Sequence, residues 1–172
     1  MLIEGTELLG NKVQALEDGA YLGTIRTLII DPKNGRLLAA LVGKGNFGGR
    51  KFLPILDMID FSLDKVYVKN EGVLLEPKDL VRANEILIKR IQVLRMKAFT
   101  KKGEYLGRVD DVLFDTNTGM IEKFYIGHNI FMNFFYRGII VPKSRIEKIT
   151  KKKVIVCNDV CEKEKAAEKA IA

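Results

Sequence analysis

Three glycines, Gly43, Gly45 and Gly48, spell G-x-G-x-x-G inside the stretch VGKGNFGGRKFLP from Val42 to Pro54. That spacing belongs to loops that cradle a dinucleotide phosphate, a chemistry that needs a strand before the loop and a helix after it. The apolar run Leu37 to Val42 supplies a strand, but Arg50-Lys51-Phe52-Leu53, stopped by Pro54, reads as a second strand rather than a helix. The expectation is a hairpin loop, with no nucleotide and no cofactor. Three carboxylates, Asp110, Asp111 and Asp115, lie close in sequence. On a strand Asp111 and Asp115 share one face and Asp110 takes the other, and Asp115 opens a turn. They are expected to be solvated strand-end residues rather than a catalytic pair. The chain has one histidine, His128, and two serines, Ser62 and Ser144, which leaves few members for a nucleophilic triad. Its two cysteines, Cys157 and Cys161, have no second pair to complete a zinc site. They read as ordinary thiols of a reducing compartment. No catalytic residue and no metal site is expected.

The elements that must position any binding surface come from a repeat. GAYLGTIRTLIID (Gly19 to Asp31) has a twin in GEYLGRVDDVLFD (Gly103 to Asp115). In the same alignment Gly35 meets Gly119, Val42 meets Ile126 and Gly43 meets Gly127; further on, Pro54 meets Pro142, Val66 meets Val154, Val68 meets Val156 and Asn70 meets Asn158. The stretch between the matched glycine and proline is longer in the second copy (Gly127 to Pro142) than in the first (Gly43 to Pro54). Two copies are too few for a solenoid and fit two tandem domains. Each copy reads as short strands joined by turns, the pattern of a small barrel. In Asp31-Pro-Lys-Asn-Gly35 the proline presets φ and Asn-Gly supplies positive φ; Asp115-Thr-Asn-Thr-Gly119 holds the same place. The first strand of each copy aligns poorly, with Val13 falling opposite Lys97.

The reading is therefore a mainly β chain of two tandem small β-barrels: residues 1–76, a connector at 77–90, a second barrel at 91–158 and a C-terminal helical tail at 159–172. The connector PKDLVRANEILIKR places Leu80, Ile86 and Leu87 along one helical face, with Asp79 near the start. The tail is rich in Ala, Glu and Lys, and Asp159 with Glu162 resembles a capping box.

This pattern resembles the PRC-barrel family. The first copy carries it at Gly19, Leu22, Gly23, Ile25, Asp31, Gly35, Pro54, Val66 and Val68; the second carries it at Gly103, Leu106, Gly107, Val109, Asp115, Gly119, Pro142, Val154 and Val156. The resemblance covers about residues 8 to 158. It implies the fold just described and a role as an adaptor or assembly module without catalysis of its own. Family members include the cytoplasmic part of the photosynthetic reaction-centre H subunit and the C-terminal domain of an rRNA maturation factor. The present chain looks like the stand-alone tandem type.

Composition frames the partners. Of 172 residues, 47% are apolar and 30% charged, as in an ordinary globular protein. The N-terminal MLIEGTELLG lacks the basic and long apolar segments of a signal peptide, and no apolar run approaches the ~18 residues of a membrane span. A cytoplasmic protein is expected, and attachment to a membrane complex is compatible with it. The net charge of +7 is unevenly placed: residues 1–86 hold 11 basic and 12 acidic side chains, residues 87–172 hold 18 and 10. Two surfaces follow as candidates. The lengthened loop HNIFMNFFYRG concentrates Phe131, Met132, Phe134, Phe135 and Tyr136; it is either a contact surface for a partner or a second chain, or a cap folded onto its own barrel. Lys101, Lys102, Lys151, Lys152 and Lys153 cluster in predicted turns of the basic half, the alternative being RNA or a ribosome precursor. The leading expectation is a non-enzymatic adaptor that mediates protein–protein assembly or regulates a complex.

Overall fold

The computed structural model of the chain describes residues 1–43, 49–127 and 138–158. The chain opens with a short strand, β1 (Leu2–Glu4), and a one-turn helix, α1 (Gly5–Leu8). The first copy then forms β2 (Lys12–Ala15), β3 (Tyr21–Asp31), β4 (Arg36–Gly43), β5 (Arg50–Pro54), β6 (Met58–Phe61) and β7 (Lys65–Val68). The connector helix is α2 (Val81–Ile88). The second copy forms β8 (Lys97–Thr100), β9 (Tyr105–Asp115), β10 (Ile121–Gly127), β11 (Ile139–Pro142), β12 (Ile146–Ile149) and β13 (Lys153–Val156). The strand orders are β5-β4-β3-β2-β7-β6 and β11-β10-β9-β8-β13-β12, one plan used twice. The C-terminal helix expected at 159–172 lies outside the described residues.

Each sheet has to curl. β5 and β6 stand at opposite ends of their order, yet only the 3-10 turn Ile55–Asp57 separates them. Flat strands about 4.8 Å apart would hold the two ends roughly 24 Å apart, whereas the four steps from Pro54 to Met58 reach at most about 14 Å. The second copy repeats the constraint with the turn Lys143–Arg145 between β11 and β12. The end strands are not hydrogen-bonded to each other, so each body is a nearly closed barrel with an open seam. Inside lie the apolar residues of alternating positions: Val13, Ile25, Leu37, Phe52 and Val66 in the first body, Ala98, Val109, Phe114, Phe124 and Val154 in the second, all fully buried. The β4 run from Leu37 to Val42 is buried on both faces except at Leu38, as its continuous apolar sequence predicts.

The sheet register aligns Val13 with Ala98 rather than with Lys97. β2 runs parallel to β7 with Val13 beside Val66, and β8 runs parallel to β13 with Ala98 beside Val154. The turn between β8 and β9 is one residue shorter than that between β2 and β3, which shifts the first strand against the rest of the repeat.

The two copies join through the turns that the sequence marks. Asp31 O accepts from Gly35 N (2.8 Å) and Asp115 O from Gly119 N (2.7 Å); Gly35 and Gly119 have φ of 66° and 70°. The two turns then meet head to head. Leu37 N donates to Gly119 O (2.7 Å), Ile121 N donates to Gly35 O (3.0 Å), and Arg36 bridges to Met120. Every bond on one side has its repeat-mate on the other, so the seam has the reciprocity of an isologous dimer interface within one chain.

Each copy also sends the segment preceding it onto the other. β1 adds to the second sheet by pairing with β9 (Leu2 opposite Asp115, Glu4 opposite Leu113). α1 packs on β9, and α2 packs on β3. The connecting side chains are carboxylates. Arg82 of α2 grips Asp31 through Nε (2.9 Å) and Nη2 (2.6 Å), and the terminal amine of Met1 lies 3.2 Å from Asp115 Oδ1.

Candidate functional site

The carboxylates expected to be solvated divide. Asp110 is exposed on β9. Asp111 is buried: Oδ1 accepts from Thr6 N (2.9 Å) and Val112 N (2.7 Å), and Oδ2 bonds the Thr6 hydroxyl. The β-bulge in β9 falls at Asp110, between Val109 opposite Ile126 and Asp111 opposite Tyr125, and the arm that carries Thr6 covers Asp111 on the outer face. Asp111 thus fastens the N-terminal arm to the second sheet. Asp115 is half-buried and takes Asn117 N (3.1 Å); that bond, and then the Met1 amine, hold its carboxyl below the usual range. Buried Thr100 and Thr116 use their side chains in the same way, and buried Asn11 is tied in through its main chain. Thr100 Oγ1 accepts from Glu104 N (3.1 Å), the Thr116 hydroxyl donates to Met1 O (3.2 Å), and Asn11 O accepts from Ile25 N (2.9 Å).

Gly43 ends β4 opposite Arg50, and the element that follows the glycine motif is the antiparallel strand β5, as its proline-stopped sequence predicts. Gly45 and Gly48 lie outside the described residues, as do His128, Cys161 and the aromatic cluster Phe131, Met132, Phe134, Phe135 and Tyr136. Cys157 is a free thiol whose Sγ lies 3.7 Å from Glu147 Oε2.

The five lysines singled out by sequence occupy two ends of one barrel. β8 and β13 run parallel, so Lys101 and Lys102 follow β8 at one end, while Lys151 and Lys152 precede β13 at the other. Strands of four residues separate those ends by about 13 Å. Lys101 is engaged by Glu147 at 2.9 Å, an ion pair that raises the lysine pKa and lowers that of the glutamate. Lys102 N donates to Asn158 Oδ1 (3.2 Å).

At the other end the cations form a row. Lys153 on β13, Lys97 on β8 and Arg108 on β9 are direct cross-strand neighbours, all exposed. Direct partners point to the same face of a sheet, so the three stand side by side with Lys151 and Lys152 at the adjoining turn. Aromatic residues share that face. Phe99 packs against Tyr105 with ring centroids 5.4 Å apart, and Lys153 Nζ sits 5.7 Å from the centre of the Phe99 ring. The nearest acid along β9 is the exposed Asp110. Lys97, Arg108, Phe99 and Tyr105 escape a reading of the sequence because the strand pairing that gathers them joins distant segments. The first copy presents the same row as Lys65, Lys12 and Thr24, but with Leu63 and Asp64 in place of Lys151 and Lys152 and Asp60 in place of Lys148. The scaffold is shared and the charge is not.

Among the described residues no helix is long and apolar enough to cross a membrane. A model of the PRC-barrel domain matches residues 1–75 and, again, residues 88–159. No curated protein matches the chain.

Proposed function

Because the chain belongs to the PRC-barrel family through both of its copies, we propose that it is a non-catalytic binding module that holds a protein partner within a larger assembly. The observation that carries this reading is the double family match on a body whose two copies lock together through a reciprocal seam. The buried polar groups named above hold turns and arms, and the two copies differ on their outer faces, where partners are met. The aromatic cluster at Phe131, Met132, Phe134, Phe135 and Tyr136 supplies the contact, since aromatic residues and Met are enriched at interface cores. Phe131→Ser and Phe134→Ser test it. Loss of partner capture or self-association with a nearly unchanged melting temperature is the expected result. A loss of about 3–5 kcal/mol in stability, typical of a buried aromatic, would make the cluster core instead. A hydrolase, transferase or redox activity of the purified chain, abolished by a point substitution, would overturn the module itself.

A second reading is favoured by the row Lys153–Lys97–Arg108 beside Phe99 and Tyr105. Cations on a sheet face next to stackable rings suit single-stranded RNA. On this reading Lys97→Glu with Lys153→Glu weakens binding to total RNA at low salt by at least tenfold. The slope of log affinity against log salt becomes shallower by about one for each phosphate that is no longer neutralised. The same reversal at Lys101 and Lys102, at the far end, has little effect. RNA binding insensitive to the first pair, or absent at low salt, would remove this reading.

A further inference from the structure

The edge strands of the two barrels are not treated alike. The outer edge of β5 is covered: Phe52 N donates to Leu75 O and Leu75 N to Phe52 O, both at 2.8 Å. Leu75 belongs to a strap, Glu71 to Glu76, that leaves β7 through a cap in which Asn70 Oδ1 accepts from Gly72 N (3.0 Å). The strap is apolar at Val73, Leu74 and Leu75, and acidic at both ends. Lys51 Nζ reaches Glu71 (3.9 Å) and Glu76 (3.8 Å). Beneath it Phe52 is fully buried, at 0% exposure.

β11 is the repeat-mate of β5, and Ile140 is the mate of Phe52. Phe52 lies opposite Leu41 and Ile140 opposite Tyr125, which are themselves matched positions. By that equivalence the Ile140 N–H and C=O point away from β10. Among the described residues nothing pairs with this edge, and the Ile140 side chain is 57% exposed. In sequence, the positions matching Val73-Leu74-Leu75 are Cys161-Glu162-Lys163, so the apolar strap is not repeated. The exposed Lys123, opposite Pro142, stands where the first copy has the buried Ala39.

We propose that the outer edge of β11 takes an extended, antiparallel segment of a partner protein, apolar at its centre and acidic at its ends. An open edge is a template for a strand from another chain. The first barrel shows the chemistry of the occupant, and Lys123 adds a cation that an acidic flank would meet. The idea rests on the reading of the chain as a binding module. A native partner captured through other surfaces, with β11 left untouched, would sink the edge and spare the module.

The probe is a peptide with the sequence of residues 69–78, added to the full chain. Binding is read by fluorescence anisotropy and by hydrogen-exchange protection of the Ile140 amide. The expected results are saturable binding, protection at Ile140, a loss of at least tenfold with Ile140→Pro, and a smaller loss with Lys123→Glu. Ile140→Pro removes an outward N–H and leaves the bonds to β10 intact. Ile140→Ser, which keeps the N–H, controls for folding and should lose less. Absence of binding at millimolar peptide, or binding indifferent to Ile140→Pro in a folded variant, would overturn the proposal. So would binding that requires deletion of residues 159–172, since the chain's own tail would then be the occupant. Protection of Ile140 by self-association alone would assign the edge to a second copy and equally reject a foreign strand.

Discussion

Gly119→Ala is expected to destabilise the chain by about 2–5 kcal/mol. Gly119 has a φ of 70°, and a non-glycine residue held there costs about 1–2 kcal/mol. The added Cβ would also lie 2.6 Å from Leu37 O and 3.0 Å from Ile55 Cγ2. Leu37 O is backbone, fixed by its strand and by the bond from Leu37 N to Gly119 O, so it cannot swing aside; overpacking of this kind adds about 1–3 kcal/mol. For a chain of this size the melting temperature should fall by roughly 5–15 °C. Gly35 is the built-in control. It occupies the matching place across the seam with a φ of 66°, but its Cβ would meet the side-chain end of Lys143, which can rotate away. Gly35→Ala should therefore lose little more than the backbone part. Gly103, with a φ of 89° and nothing within 4 Å of a Cβ, should lose the backbone part alone. Equal losses at all three positions, measured by denaturant unfolding, would show that the close approach at the seam contributes nothing.

The same residues show what a sequence can and cannot reveal. The turn Asp31–Gly35 and its twin Asp115–Gly119 were legible because their signals are local: a proline that presets φ in the first and a glycine that supplies positive φ in both. The alternating apolar positions gave the barrel cores for the same reason. That the two turns meet was not legible, because nothing in either turn specifies a partner far along the chain. The first strand of each copy resisted alignment because a one-residue change in the following turn slides a four-residue strand, and so short a strand carries too few apolar positions to fix its own register. The basic row depends on β8 lying beside β13, a parallel pairing that brings the start and the end of the copy together. The lysine runs were visible, but Lys97 and Arg108, isolated in sequence, were not. Asp111 was misread because the N-terminal arm, far away in sequence, lies over the outer face of β9 and buries a side chain that the strand alone leaves solvated.

Asp31→Asn is expected to cost about 1–3 kcal/mol at neutral pH and much less in acid. Asp31 is buried at the start of the first turn, and it accepts two bonds from Arg82 and one from Lys33 N (2.9 Å). Loss of one partner of a fully buried ion pair costs about 3–5 kcal/mol, but the Arg82 side chain is 34% exposed and solvent screens part of the interaction. The Arg82 hydrogen bonds outweigh burial and hold the Asp31 carboxyl below the ordinary value of 3.8. A carboxylate with a lowered folded pKa contributes stability that is fully present above its unfolded pKa, near 3.9, and disappears as pH falls through the folded value. The gap between the natural chain and Asp31→Asn should thus be constant from pH 7 to about pH 5 and shrink steadily below pH 4. Arg82→Met, which keeps the length of the side chain without its charge, should produce the same acid-dependent gap. Because α2 is the arm that the first copy receives from the connector, either substitution should also speed hydrogen exchange in Val81–Ile88 before it does so in β3. Urea midpoints across this pH range decide the matter: a gap that persists undiminished at pH 2.5 would mean that packing, and not the Asp31 charge, fastens the connector helix to the first barrel.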